Sequence, residues 1–83
     1  MKITFKLYAG LSDYLPEGAK RNSVEIGVQS GETVHQVIDR CRVPREQAHV
    51  VLVNGVFIDE PGRDSSVLKA GDTLSIWPPV AGG

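Results

Sequence analysis

The sequence has a single cysteine, Cys41, so no disulfide can form within it and a domain of this size must be held by packing alone. That suits a reducing compartment. An excess of either charge is also missing: nine Lys and Arg stand against ten Asp and Glu, a net charge of -1, which leaves little to draw in phosphate backbones or anionic lipid. Neither nucleic acid nor a membrane is expected as a partner. Long apolar runs are absent too. The four residues 50–53 fall far short of the roughly 20 that span a bilayer, and the first residues alternate where a signal segment would be continuously apolar, so a cytoplasmic location is expected. At 83 residues, 41% of them hydrophobic, the chain can fill one core and not two.

What is present is a clear change of period along the chain. Ile3, Phe5 and Leu7 alternate with Lys2, Thr4, Lys6 and Tyr8, the pattern of a half-buried strand. Val24, Ile26 and Val28 repeat it, and between the two runs Gly10, Pro16 and Gly18 mark a loop with one short helical turn, its Leu11, Tyr14 and Leu15 folding back on the core. Val34, Val37, Ile38 and Cys41 then fall at i, i+3, i+4 and i+7, one stripe of a helix. Thr33 with Gln36 three residues on predicts a capping box at its start, and Pro44 stops it. Residues 43–49 read as a polar connection, with Pro44 opening a further turn from a first-turn position.

Asn54-Gly55 between two apolar runs predicts a type I′ hairpin that pairs Val53 with Val56, Leu52 with Phe57 and Val51 with Ile58. This register sorts Val51, Val53, Val56 and Ile58 to one face and Val50, Leu52 and Phe57 to the other. The β-branched set is expected to face the helix. After turn-like residues 59–64 and the Ala70-Gly71-Asp72 turn, a last strand over residues 73–77 points Leu74 and Ile76 inward, leaving Thr73, Ser75 and Trp77 outward. One short helix covers one face of a sheet, so the fold class is α+β and the other face stays open. Trp77, Leu52 and Phe57 on that open face are the expected partner surface.

The residues after Trp77 read Pro78-Pro79-Val80-Ala81-Gly82-Gly83. Two prolines end strand pairing and project the remaining residues away from the sheet, and six extended residues reach roughly 20 Å. Ala81, Gly82 and Gly83 carry almost no side chain, so they can thread a narrow channel and offer the Gly83 carboxylate unobstructed. A carboxylate is a poor electrophile, so transfer chemistry there needs activation, most economically as an acyl adenylate made by a separate ATP-using enzyme.

These residues resemble the β-grasp (ubiquitin-like) sulfur carriers, most closely the small subunit of molybdopterin synthase. The resemblance runs through Tyr8-Ala9-Gly10-Leu11, Val53-Asn54-Gly55, Leu68-Lys69-Ala70-Gly71-Asp72 and the segment from Trp77 to Gly83. It implies a mixed sheet of four to five strands on one helix over residues 1–77, with an extended tail over residues 78–83. It further implies a carrier that is not an enzyme on its own. Gly83 would be adenylated by an adenylyltransferase similar to ubiquitin-activating enzymes and converted to a thiocarboxylate by a sulfur donor protein. Pro78, Pro79, Val80, Ala81 and Gly82 would then thread the large subunit of molybdopterin synthase, where the sulfur goes to molybdenum cofactor biosynthesis. Carriers for thiamine, tungsten cofactor or cysteine synthesis share the final Gly-Gly, as do protein modifiers that end in an isopeptide bond. A plain interaction module using the open face is a third reading.

The remaining polar residues give no site. Cys41 lies on the apolar stripe and reads as core. His35 and His49 read as surface residues, and with one cysteine and no ligand spacing they make no metal site. Arg40, Arg42 and Arg45 read as a solvated basic cluster at a helix C-terminus, and no bound cofactor is expected.

Overall fold

The computed structural model describes residues 1–79. Strands β1 (Lys2–Leu7), β2 (Ser23–Gly27), β3 (Val50–Val53), β4 (Val56–Phe57) and β5 (Thr73–Trp77) form one sheet, in the order β2-β1-β5-β3-β4. β1 and β5 run parallel, and every other neighbouring pair is antiparallel. The alternating runs explain the layering. Ile3, Phe5 and Leu7 of β1, Leu74 and Ile76 of β5 and Val51 of β3 are all fully buried on one face, each stabilising the fold by about 1.5–3 kcal/mol. Onto that face packs α1 (Val34–Arg40), whose Val34, Val37 and Ile38 join the same cluster. This strand order, with β1 and β5 parallel at its centre and α1 packed on one face, is that of a β-grasp domain.

The cap of α1 matches the sequence pattern closely. Gln36 N–H donates to Thr33 Oγ1 (3.3 Å) and Thr33 N–H donates to Gln36 Oε1 (2.9 Å), the reciprocal pair of a capping box. Cys41 caps the other end and is half-buried against the core, and burial pushes its thiol pKa up. The hairpin register is also as expected, Val53 with Val56 and Leu52 with Phe57. Asn54 and Gly55 both take positive φ, 52° and 83°, as a type I′ turn requires.

Several expectations fail, each for a tertiary reason. His35 is 4% exposed, because it faces the 3-10 turn Pro61–Asp64 and its Nδ1 shares a 2.7 Å hydrogen bond with Asp64 Oδ1. Residues 43–49 are not merely polar: Val43 and Ala48 are buried, since both side chains join the core cluster that α1 and the sheet share. Pro44 is the N-cap of the 3-10 turn Arg45–Gln47 and not a first-turn residue. Val56 keeps the parity of the helix-facing set but is 63% exposed, because β4 is the edge strand and α1 does not reach over it. Tyr14 is likewise exposed while Leu11, in the 3-10 segment Ala9–Tyr14, is buried.

Arg63, in the turn after β4, was not visible as a core residue. It is 4% exposed, and its guanidinium donates to the carbonyls of Ala48 (2.8 Å), Ile58 (3.1 Å) and His49 (3.2 Å). Burial pulls its pKa below the ordinary value, opposed by the charges of Glu60 and Asp59. The three carbonyls offset that desolvation and pin the turn to the start of β3.

Arg40 is not free either. Its Nε and one terminal N–H group donate to Glu32 (2.8 and 3.2 Å), and the same terminal nitrogen reaches the Gly27 carbonyl (2.8 Å), clamping α1 to the end of β2. The hydrogen bond from Arg40 holds the Glu32 carboxyl below its usual range, against the opposing effect of burial. Asp39 is lowered by Arg45 in the same way, but both of those side chains are half exposed, so that pair contributes little. A depressed carboxyl stabilises the fold above its unfolded value of about 4.3 and loses that contribution as pH falls through the folded value. Thermal melts from pH 7 downward are therefore expected to show a decline below about pH 4.3 that is shallower in Glu32→Gln, with the two proteins converging at low pH.

Candidate functional site

The face opposite α1 carries the outward residues of four strands in register. Lys6 lies opposite Ser75, Ser75 opposite Leu52, and Leu52 opposite Phe57, forming one row across the sheet. Thr4 and Thr73 start the row on one side of it. On the other side, at the end from which the chain leaves the sheet, Trp77 pairs with Val50, and Tyr8 N–H donates to the Ile76 carbonyl (3.0 Å). That bond brings the Tyr8 and Trp77 rings together, stacked with centroids 4.1 Å apart and planes within 5°.

The three residues expected at a partner surface thus share this face, with different exposure. Phe57 is 57% exposed. Leu52 and Trp77 are half-buried, Leu52 between Ser75 and Phe57 and Trp77 under Tyr8. Ser75 points outward by parity yet is buried by its neighbours. Tyr8 is the residue that local sequence reading missed. Its outward parity was legible, but its contact with Trp77 depends on the parallel pairing of β1 and β5, which no local pattern encodes.

Trp77 is also where the tail begins. Pro78 is half-buried and Pro79 exposed, while Val80, Ala81, Gly82 and Gly83 lie outside the described residues. Among the described residues no group of three or more His, Cys, Asp or Glu could hold a metal ion. No helix among them is long and apolar enough to cross a membrane. A depression between the end of β2 and α1 is lined by Gly27, Glu32 and Arg40, whose charged groups already satisfy each other. The described residues expected to meet a partner gather on this open face and at the end of β5.

A mixed five-stranded sheet with parallel β1 and β5 at its centre and one helix covering one face defines a ubiquitin-like (β-grasp) domain. The chain belongs to the ThiS family, whose profile matches residues 12–83. Among solved structures it is similar to SAMP1 from Haloferax volcanii, at 26% identity over 100% of both chains with a TM-score of 0.68. It has the fold of a chain in the complex of subunits 1 and 2 of molybdopterin-converting factor from Helicobacter pylori, at 19% identity, 100% coverage of both chains and a TM-score of 0.61. Urm1 from Trypanosoma brucei shares the fold at 18% identity, covering 99% of this chain and 95% of that one, with a TM-score of 0.69. No curated protein matches the sequence.

The geometry separates the roles of the outward-facing aromatics. Trp77→Ala is expected to lower stability by about 2 kcal/mol through lost burial and stacking. Phe57→Ala should stay within about 0.5 kcal/mol of the parent. A double-mutant cycle on Tyr8 and Trp77, read by denaturant unfolding, is expected to give a coupling of about 0.5–1.5 kcal/mol.

Proposed function

We propose that this chain is a sulfur carrier that works through the carboxylate of Gly83. An adenylyltransferase similar to ubiquitin-activating enzymes joins that carboxylate to the AMP portion of ATP with loss of pyrophosphate. The outer sulfur of a persulfide on a sulfur donor protein attacks the acyl carbon and displaces AMP, and a thiol then cleaves the resulting acyl disulfide, releasing the thiocarboxylate and leaving the donor sulfur in a disulfide with that thiol. Pro78 and Pro79 stiffen the start of the tail, which lowers the entropy lost when Val80, Ala81, Gly82 and Gly83 are held in a partner channel. Trp77, Leu52 and Phe57 give the partner an apolar surface beside that tail. The destination we favour is the large subunit of molybdopterin synthase, where the sulfur enters molybdenum cofactor biosynthesis.

The observation that carries this reading is the family match, which runs from the first loop through Gly82 and Gly83. It is supported by the position of the tail, which leaves the central strand of the sheet next to the Tyr8 and Trp77 stack. The fold shared with the Helicobacter pylori complex supports the choice of a large-subunit partner. The identity to SAMP1, itself described as a small archaeal modifier protein, favours a second reading in which activated Gly83 is joined to a lysine of a target protein.

Intact mass of the chain isolated from its own host separates the two. The carrier reading expects a free chain heavier by the difference between one sulfur and one oxygen atom, and the modifier reading expects conjugates of higher mass. Deleting Gly83, or adding one residue after it, is expected to leave the melting temperature unchanged and abolish sulfur transfer. An extended chain that stays uncleaved and transfers sulfur normally overturns the proposal. Replacing Pro78 and Pro79 by glycine should slow transfer without unfolding the domain. Reconstitution with the host's own molybdopterin large subunit tests the destination, and failure there alongside success in thiamine or cysteine synthesis reassigns the pathway.

A further inference from the structure

The two edges of the sheet, β2 and β4, are finished differently. Along the outer side of β2 main-chain groups at both ends of the strand are taken, leaving those of Glu25 open between them. Ser23 exchanges hydrogen bonds with Lys20 (2.9 and 3.1 Å), and the Gly27 carbonyl accepts from Arg40 (2.8 Å). Cations and local pairing of this kind are how proteins blunt an edge against strand addition.

The β4 edge has no such cover among the described residues. Leu52 and Phe57 form a non-hydrogen-bonded pair, because the next position is the bonded one, with Ile58 N–H donating to the Val51 carbonyl (2.9 Å). The N–H and C=O of Phe57 therefore point away from β3. Apolar side chains flank them on both faces, Phe57 on the open face and Val56 on the helix side, each more than half exposed. On the side of Val53 and Ile58 a depression of about 300 Å³ is lined by these two residues and Val67 together with the polar Asn54, Lys69 and Asp72, and Val67 is itself 49% exposed. Directly after the strand and Ile58 come Asp59 and Glu60, both exposed, with one Asp59 oxygen holding the Gly62 N–H (2.8 Å).

We propose that the β4 edge docks an extended segment of a partner protein as a sixth strand. One aliphatic side chain of the segment enters the depression beside Val53 and Ile58, an adjacent one covers Phe57, and a Lys or Arg lies against Asp59 and Glu60. Main-chain bonding supplies the attachment and the depression supplies selectivity. A second copy of this chain fits less well. Antiparallel pairing of β4 with itself about Phe57 would set Gly55 opposite Asp59 and Asn54 opposite Glu60, with no cation to meet either. It would also join strands of two residues, far below the roughly 1,200 Å² that stable interfaces bury. The inference is independent of any chemistry at Gly83.

The test uses the full chain, isotopically labelled, titrated to about 1 mM with the blocked peptide acetyl-Lys-Thr-Val-Ile-Val-Thr-Lys-amide. The amides of Val56, Phe57 and Ile58 are expected to shift, and exchange of the Phe57 amide proton to slow, while the Glu25 amide on the β2 edge stays put. N-methylation at Ile and at the following Val distinguishes strand addition from nonspecific apolar contact, since alternate N–H groups of a strand point to opposite sides. One methylated peptide should bind at least about tenfold more weakly and the other normally. The double variant Asp59→Asn, Glu60→Gln should weaken binding about threefold. Absence of a Phe57 shift, equal shifts at Glu25, or equal affinity of the two methylated peptides overturns the proposal. So does a Phe57 shift that tracks the concentration of the free chain, which would place a second copy on the edge.

Discussion

Strand β5 is the constraint on which the rest of the domain depends. It is bonded to β1 on one side and to β3 on the other, so neither half of the sheet meets the other without it. Its Leu74 and Ile76 are fully buried under α1, and its outward residues occupy the middle of the open face. Because Trp77 ends this strand, the tail departs from the best-supported position in the sheet. His49 N–H also donates to the Trp77 carbonyl (3.0 Å), and the neighbouring Ala48 and His49 carbonyls are held by Arg63. The exit point of the tail is thus tied to the turn after β4.

The two faces and two edges divide the work of the molecule. The covered face holds the stability, and the open face keeps apolar surface that a monomeric domain does not need for itself. Arg40 serves the first purpose: it fastens α1 to β2 and occupies an edge carbonyl with the same guanidinium. Tyr8 and Trp77 serve both, since their stacking buries part of each ring and leaves an aromatic surface beside Pro78.

The sequence made the local elements legible wherever a short pattern determines geometry. Asn54-Gly55 set the hairpin register, Thr33 and Gln36 set the start of α1, and alternation separated the inner from the outer face of β1 and β5. What stayed hidden depends on contacts between distant segments. His35 reads as a surface residue until the turn containing Asp64 is placed against it, and Arg63 sits in a Pro-Gly-Arg-Asp run that has every mark of a solvated turn. Val56 shows the converse, an inward parity with no helix above it. On the site, the outward set of Leu52, Phe57 and Trp77 was readable from parity, whereas Tyr8 entered only through the pairing of the first strand with the last. The tail residues 80–83 stand on the sequence and the family match alone.

The parallel pairing of β1 with β5 has a mechanical side. Strand hydrogen bonds run across the strand axis, so a pull on Pro79 along β5 strains the ladders to β1 and β3 together, in shear, instead of opening them one bond at a time. Under the proposed function, a partner drawing on the tail would load the sheet without unravelling it. The same pull along β4, a two-residue edge strand bonded on one side only, would fall on far fewer hydrogen bonds. The chain carries its tail on the strand able to bear tension and its exposed apolar edge on the strand able to yield.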